Sequence, residues 1–277
     1  MAGGGAGIDS GIDWADAFDN MGHVPGAAEM LRQGAEDARA FREAASNASF
    51  DLAYGRGPRT LLDLFLPMGQ PRGLAVFLHG GYWQRLSKDD WSHVAAGALA
   101  RGWAMAIPSY TLAPQARISQ MTREMAQAVT FAAARVPGPL RIAGHSAGGH
   151  LALRMACAGG PLDPAVAARL EHVVSISGLH DLRPLRLSPM NAVLGLDADE
   201  ARAESPALAA PLPGVAVTVW VGGAERPEFL RQAGLMAEAW EGRAAALTRV
   251  IENRRNHFDV VEGLAAPASP LVEAFLG

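Results

Sequence analysis

The residue best suited to covalent chemistry is a serine between small neighbours, in the pattern Gly-His-Ser-Ala-Gly at residues 144–148. A strand-like apolar run at residues 140–143 precedes it, and an apolar helical stretch at residues 149–158 follows. A strand that turns sharply into a helix holds such a serine in a strained conformation, where larger neighbours would clash. The pattern therefore predicts that Ser146 is a nucleophile exposed at the carboxyl end of a sheet.

A second glycine motif, His79-Gly80-Gly81-Tyr82-Trp83, follows another apolar run at residues 74–78. Two adjacent glycines let the main chain approach a substrate closely, and motifs of this type supply oxyanion-hole amides. We expect the amides of Gly80 and Gly81, with that of Ala147, to bind the oxygen of a tetrahedral intermediate.

A serine hydroxyl needs a base to take its proton and an acidic group to orient that base. Of the eight histidines, only His257 lies in a loop downstream of a late strand, so it is the predicted base. The acid should come from the loop after the strand-like run at residues 215–221. In that loop Glu225 is the favoured candidate.

Two other acids, Glu228 and Asp259, lie near the loops that should supply the triad. Pro227 suits the first turn of a helix, so Glu228 is expected inside that turn. Asp259 is only two residues from His257, which makes a hydrogen bond to the same imidazole awkward.

We expect the remaining histidines and the one cysteine to have mainly structural roles. We expect His93, His172 and His180 to be packing or surface residues, and His145 and His150, which flank the elbow, to shape the pocket. Cys157 lies in an apolar helical stretch and is expected to pack there.

Buried strands alternate with helices along the chain. Strand-like runs lie at residues 74–78, 103–107, 140–143, 173–176 and 215–221, with helical spacing at residues 29–45 and 121–132. Residues 50–54 and 61–66 predict an antiparallel edge hairpin. With the motif order serine, acid, histidine, this predicts an α/β-hydrolase fold: a mostly parallel central sheet of about eight strands with helices on both faces.

The length of 277 residues fits one domain spanning 1–277. Residues 1–48 are expected to form an N-terminal extension whose helix packs near the mouth of the active site. The glycines at residues 3–5 are expected to be a frayed end.

The composition disfavours several classes of partner. Lys and Arg number 24 against 28 Asp and Glu, so the net charge of −4 offers no broad cationic surface for nucleic acid or an anionic membrane. No apolar run reaches the ~18 residues that a membrane span requires. We expect a cytoplasmic protein that binds a small molecule and needs neither a metal nor another cofactor; a homodimer is left open.

Several of these motifs resemble those of kynurenine formamidase (arylformamidase). The resemblance rests on residues 79–84, the elbow at 144–148, Pro227-Glu228-Phe229 and Asn256-His257-Phe258, and it extends from about Tyr54 to the end of the chain. Family members cleave N-formyl-L-kynurenine to kynurenine and formate without a metal. Their acid is commonly Asp, whereas the matching residue here is Glu225.

The resemblance implies a serine hydrolase that cleaves N-formyl-L-kynurenine through an acyl-serine intermediate. Tyr82, Trp83 and His145 are the expected substrate-binding side chains, the first two by stacking on an aryl ring, although packing in the core is the alternative for both aromatics. Arg117 and Arg183 are conceivable anchors for a substrate carboxylate, with solvation at the surface as the alternative. The competing functions are a short-chain carboxylesterase and a hydrolase-fold binding protein without catalysis.

Overall fold

The central sheet of the computed structural model, which describes residues 11–277, has eight strands. They are β1 Ala48–Ala53, β2 Leu61–Phe65, β3 Leu74–Leu78, β4 Ala104–Pro108, β5 Leu140–His145, β6 Leu170–Ile176, β7 Ala216–Gly222 and β8 Ala246–Glu252. Their order across the sheet is β1-β2-β4-β3-β5-β6-β7-β8. The glycines at residues 3–5 lie outside the described residues.

Only β1 and β2 break the parallel arrangement. The β1 strand pairs with β2, and β2 with β4, in antiparallel register, while every pairing from β4 to β8 is parallel. The predicted edge hairpin and the predicted mostly parallel sheet are both confirmed. The carboxyl ends of β3, β5, β6 and β7 consequently share one edge of the sheet, which brings distant motifs together.

Helices connect the parallel strands and cover both faces of the sheet. They are α1 Trp14–Ala17, α2 Asn20–His23, α3 Ala27–Ala44, α4 Ala95–Ala100, α5 Ile118–Ala133, α6 Ala147–Met155, α7 Pro164–Ala167, α8 Asn191–Leu194, α9 Ala198–Ala203, α10 Pro227–Trp240 and α11 Pro270–Leu276. The long helices α3 and α5 match the spacing that predicted them. Short 3₁₀ turns occupy Lys88–Asp90, Ser92–Val94, Pro184–Leu187, Pro206–Leu208 and Val260–Ala265.

Each central strand is buried on both sides. Successive residues of β3 alternate between two hydrophobic clusters: Val76 packs into one, and Ala75 and Phe77 pack into the other. This two-sided burial explains why these strands are continuous apolar runs in the sequence.

The structure differs from the sequence-based expectations at one strand and one helix. The strand β8 does not stand out as an apolar run, because it is an edge strand whose residues are mostly exposed or half-buried. The elbow helix ends at Met155 and not at residue 158. Cys157 therefore lies just after the helix, where it forms an isolated antiparallel bridge with Pro211 and its thiol donates to the Leu153 carbonyl at 3.3 Å.

The hairpin and the helix α3 are joined by a buried ionic cluster. Lys88 and Asp63 are almost completely buried, with 3.0 Å between Lys88 Nζ and Asp63 Oδ1. Arg42 of α3 binds the other oxygen of the same carboxylate. Because a buried charge is costly unless it is paired, this cluster fixes how α3 lies on the domain.

The described part of the chain, residues 11–277, contains no helix that is both long enough and apolar enough to span a membrane.

Candidate active site

The elbow at residues 144–148 has the strained geometry that its sequence predicts. Ser146 lies between β5 and α6 with φ of 56° and ψ of −120°. Its amide donates to the Ile176 carbonyl of the neighbouring strand at 2.8 Å, which pins the turn against β6. A non-glycine residue in this conformation costs energy and persists only where its surroundings enforce it.

The two glycines of the elbow are required by close backbone contacts. A Cβ at Gly144 would lie 2.1 Å from the Gly148 carbonyl oxygen, and a Cβ at Gly148 would lie 1.9 Å from the Leu78 carbonyl oxygen. No side chain fits at either position without moving a strand. The contact at Gly148 also brings the elbow against the end of β3, from which the second glycine motif extends.

The predicted base and acid are in direct contact. His257 Nδ1 donates to Glu225 Oε2 at 2.6 Å, and both side chains are buried. This hydrogen bond places the proton on Nδ1 and leaves Nε2 free to accept. Ser146 and His257 line the same cavity, with no hydrogen bond between Ser146 Oγ and the imidazole in residues 11–277. Such pairs are often loose before substrate tightens them.

Two further donors hold the Glu225 carboxylate from the other side. The Gly222 amide donates to Glu225 Oε1 at 2.8 Å, and the Ser177 hydroxyl donates to the same oxygen. Three donors on one carboxylate fix its orientation. Sequence reasoning missed Ser177. The available signal was its place directly after β6, at the sheet edge from which the acid was expected.

His145 supports His257 through the main chain. Its Nε2 donates to the His257 carbonyl at 2.8 Å, and the two rings are 4.8 Å apart between centroids. Burial, reinforced by the proximity of His257, holds the pKa of His145 well below its ordinary value. His145 is therefore neutral, and it lines the cavity beside Ser146 as expected.

The loop after β3 is shaped by His79. Its Nδ1 donates to the Gly80 carbonyl at 2.8 Å, and its ring stacks on Tyr110 with centroids 4.4 Å apart. Burial lowers the pKa of His79 to about 4, so the ring is neutral. Since the carbonyl and the amide of one trans peptide point in opposite directions, this bond also fixes the direction of the Gly81 amide.

The three predicted oxyanion donors come from adjacent parts of this edge. A Cβ at Gly80 would lie 3.0 Å from the Ser146 Cβ, so the loop touches the elbow. Ala147 is the first residue of α6, where an amide has no partner within the helix. Gly81 has φ of +105°, and Tyr82 and Trp83 follow with positive φ as well.

The cavity above Ser146 has two adjoining parts. The inner pocket has about 400 Å³ of space, open solvent at its mouth included, and is lined by Ser146, His257 and Gly81, with Leu31 of α3 at its side. The outer pocket has about 940 Å³ on the same basis and is lined mainly by the segment at residues 14–21. Tyr82 borders both pockets, together with Asn20 and Arg85.

The expectation that Trp83 stacks on substrate is wrong. Its side chain is completely buried, packs edge-on against His150 with centroids 5.2 Å apart, and lines neither pocket. The positive φ of Trp83 turns the chain so that this ring enters the core. Tyr82, by contrast, borders the cavity, and its hydroxyl donates to the Phe18 carbonyl at 2.7 Å.

The alternative acids are engaged elsewhere. Glu228 binds Arg231 at 2.7 Å and accepts from Gln232 at 2.8 Å. Asp259 accepts the Asn256 amide at 2.7 Å, which helps to shape the loop before His257.

Both sequence candidates for a carboxylate anchor are also paired. Arg117 binds Asp197 and Glu200, and Arg183 binds Asp181. Neither arginine lines the cavity. Within residues 11–277 there is no cluster of three or more His, Cys, Asp or Glu side chains that could hold a metal ion.

The sheet order, the elbow between β5 and α6 and the site at the carboxyl edge define an α/β hydrolase. The BD-FAE family model matches residues 62–206, more than half of the chain, and the chain belongs to this family.

Individual relatives are consistent with that class. Kynurenine formamidase of Danio rerio is 27% identical, over 84% of this chain and 81% of that protein. Kynurenine formamidase of Salmo salar is 28% identical over the same shares. A crystal structure from Silicibacter sp. TM1040, provisionally named a thioesterase, is 47% identical with a TM-score of 0.91 and covers 96% of this chain and 100% of that one.

Proposed function

We propose that Ser146, His257 and Glu225 form a catalytic triad and that the protein is a serine hydrolase that removes a small acyl group from an aryl amide or ester. The preferred substrate is N-formyl-L-kynurenine. The observation that carries this proposal is the 2.6 Å hydrogen bond from His257 to Glu225, in a cavity that also contains Ser146 on a strained elbow.

In the first half of the reaction, His257 Nε2 takes the proton of the Ser146 hydroxyl as its oxygen attacks the formyl carbon. The carbonyl oxygen becomes an oxyanion that the amides of Gly80, Gly81 and Ala147 stabilise; one such donor is worth about 3 kcal/mol. The C–N bond then breaks, and His257 gives its proton to the departing arylamine. A formyl ester of Ser146 remains.

In the second half, water attacks that ester while His257 takes one of its protons. The proton returns to the serine oxygen, and formate leaves. Glu225 keeps its hydrogen bond to His257 Nδ1 and stabilises the imidazolium that forms twice in each cycle. No step requires a metal.

The choice of a formyl group is supported by two findings. Relatives named kynurenine formamidase align over most of this chain. The inner pocket, beside Ser146, is also less than half the size of the outer one, which suits a small acyl group with a larger leaving group.

Hydrolysis of esters or thioesters is the second candidate. The Silicibacter sp. neighbour is nearly half identical and carries a thioesterase name. The same triad attacks an ester carbonyl equally well, because only the leaving group differs.

Two measurements test the proposal. A fluorophosphonate probe should label the wild type and leave Ser146→Ala unlabelled; absence of labelling in the wild type would favour a binding protein without catalysis. The ratio of kcat/KM on N-formyl-L-kynurenine to that on p-nitrophenyl acetate should exceed one. Rapid ester cleavage with negligible formamide cleavage would establish the second candidate.

A further inference from the structure

The outer pocket contains a cation that has no acidic partner. Arg85 borders both pockets, and its side chain is exposed. It forms no ion pair with any acidic side chain in residues 11–277, unlike Arg117 and Arg183. A guanidinium presents a planar set of donors that matches a carboxylate with two parallel hydrogen bonds. Arg85 is therefore available to bind an anionic group of a ligand.

The predicted oxyanion loop, residues 79–83, fixes the backbone position of Arg85. The Arg85 amide donates to the Gly81 carbonyl at 3.2 Å, and a Cβ at Gly81 would lie 2.3 Å from the Arg85 carbonyl oxygen. The turn therefore anchors Arg85 beside this loop, and its side chain lines both the pocket that contains Ser146 and the outer pocket.

The same boundary contains a buried acceptor without a donor. The Asn20 side chain is 3% exposed and lines both pockets. Its Nδ2 donates to the Tyr82 hydroxyl at 3.2 Å, and that hydroxyl already donates its own proton to the Phe18 carbonyl. The amide orientation is thereby fixed, because the Tyr82 oxygen can only accept from Asn20. Asn20 Oδ1 has no hydrogen-bond partner among the described residues, which is costly unless a ligand donates to it.

A carboxylate without an ion pair lies next to Asn20. Asp19 lines the outer pocket, caps α2 by accepting the Gly22 amide at 2.8 Å and forms no ion pair within residues 11–277. Burial raises the pKa of Tyr82 above its ordinary value; Arg85 opposes the rise, and Glu225, Asp19 and Glu228 add to it. Arg85 and Asp19 are therefore both within electrostatic reach of the Tyr82 hydroxyl.

We propose that the outer pocket binds the zwitterionic head of an α-amino acid carried by the leaving group, with Arg85 on its carboxylate and Asn20 Oδ1 and Asp19 on its ammonium. Trp14 and Phe18, stacked with ring centroids 5.8 Å apart, form the apolar wall beside these groups. This inference rests on the proposed attack by Ser146, and it specifies the class of leaving group.

A binding measurement tests the pocket without depending on turnover. Calorimetry should show that the wild type binds L-kynurenine about 10- to 100-fold more tightly than its decarboxylated analogue kynurenamine, as expected for a hydrogen-bonded charge pair. Arg85→Gln should abolish this preference, and Arg85→Lys should keep part of it. Arg117→Gln, which alters an arginine outside the cavity, should keep all of it. Equal preference in the wild type and Arg85→Gln would overturn the proposal.

A second comparison of ligands tests the proposed contacts with the ammonium group. Asp19→Asn and Asn20→Leu should weaken binding of L-kynurenine while leaving its deaminated analogue, 3-(2-aminobenzoyl)propionate, unchanged. If both ligands weaken equally in these variants, the pocket does not recognise an ammonium group.

Measurements of turnover distinguish the proposed amino-acid pocket from the proposed formamide substrate. O-acetyl-L-tyrosine and O-acetyltyramine offer the same phenyl ester with and without the carboxylate. If N-formyl-L-kynurenine is not cleaved but the first ester is preferred in an Arg85-dependent way, the formamide assignment fails and the amino-acid pocket stands. If N-formyl-L-kynurenine is cleaved with the same KM by Arg85→Gln, the pocket assignment fails and the formamidase proposal stands.

Discussion

The floor of the site and the segment that covers it are built in different ways. The floor consists of Ser146, Glu225 and His257 with the strand ends that carry them. On the floor, Glu225 receives three hydrogen bonds, and the elbow is wedged between the ends of β3 and β6. The N-terminal cover, residues 13–24, packs Trp14 and Phe18 into the hydrophobic core and also contacts the domain through Tyr82 with Phe18 and Arg226 with Asp16. The sheet thus positions the chemistry, while a segment outside the sheet supplies most of the outer pocket. Changes on the floor should alter kcat, and changes in the cover should alter KM.

The largest expected effect follows from replacing the acid on the floor. Glu225→Gln should lower kcat by about 10³- to 10⁴-fold, because an amide can hold the imidazole in the wrong tautomer. Glu225→Asp keeps the charge but shortens the side chain, so we expect a smaller loss. Steady-state kinetics on one ester substrate are sufficient to measure both.

The control for this prediction is Glu228→Gln, the acid that the sequence also offered. Its carboxylate binds Arg231 and Gln232 and not His257, so kcat should stay within about threefold of the wild type. If Glu228→Gln were the more damaging change, Glu225 would not be the orienting acid.

The floor could be predicted closely because its chemistry leaves local sequence signals. Glycines at 144 and 148 are required by backbone contacts within a few residues, and strands buried on both faces appear as continuous apolar runs. The contact between Glu225 and His257 is expected from the order of the motifs and from the place of Glu225 after β7. The positions of these residues are set by the strand or loop that carries them, and not by contacts with distant parts of the chain.

The cover could not be predicted in the same way. Asn20 and Arg85 are 65 positions apart, and only the packing of α1 and α2 on the oxyanion loop brings them to one pocket. The sequence also left two places open for Tyr82 and Trp83, the pocket and the core. In the structure both residues have positive φ, and Tyr82 borders the cavity while Trp83 packs in the core. No local pattern encodes that division.

Acid should destabilise the domain, because it contains several buried histidines that are neutral when folded. Burial lowers the pKa of His79 and His180 to about 4 and that of His150 to about 3. The unfolded chain takes up these protons near pH 6.5, whereas the folded chain resists them until about pH 4. Stability is therefore complete above pH 6.5 and is lost as the pH falls from 6.5 towards 4, by about 2 kcal/mol per histidine at pH 5.

Urea unfolding at pH 7.5, 6 and 5 measures this loss. His180→Gln should be less stable at pH 7.5, since it disturbs hydrogen bonds to Ser175 and Gln232, yet its stability should depend less steeply on pH. An equally steep curve for this variant would show that His180 takes up no proton on unfolding.

The smallest expected effect follows from removing the Tyr82 hydroxyl, which joins the cover to the floor. Tyr82→Phe keeps the ring but removes the hydroxyl that binds the Phe18 carbonyl and accepts from Asn20. Tyr54→Phe removes a comparable hydrogen bond, 2.6 Å to the Ser109 carbonyl, at a place that lines neither pocket. Tyr54→Phe should lose about 1 kcal/mol of unfolding free energy, and Tyr82→Phe, which removes two hydrogen bonds, about 2 kcal/mol.

The two tyrosine variants should differ more clearly in kinetics than in stability. Loss of the Tyr82 hydroxyl frees the segment that carries Asn20, so KM for a substrate with a large leaving group should rise about threefold, with kcat and the KM for p-nitrophenyl acetate unchanged. Tyr54→Phe should leave all of these constants unchanged. A fall in kcat for Tyr82→Phe on the small ester would mean that the cover also positions the oxyanion loop, and the division between the floor and the cover would then be wrong.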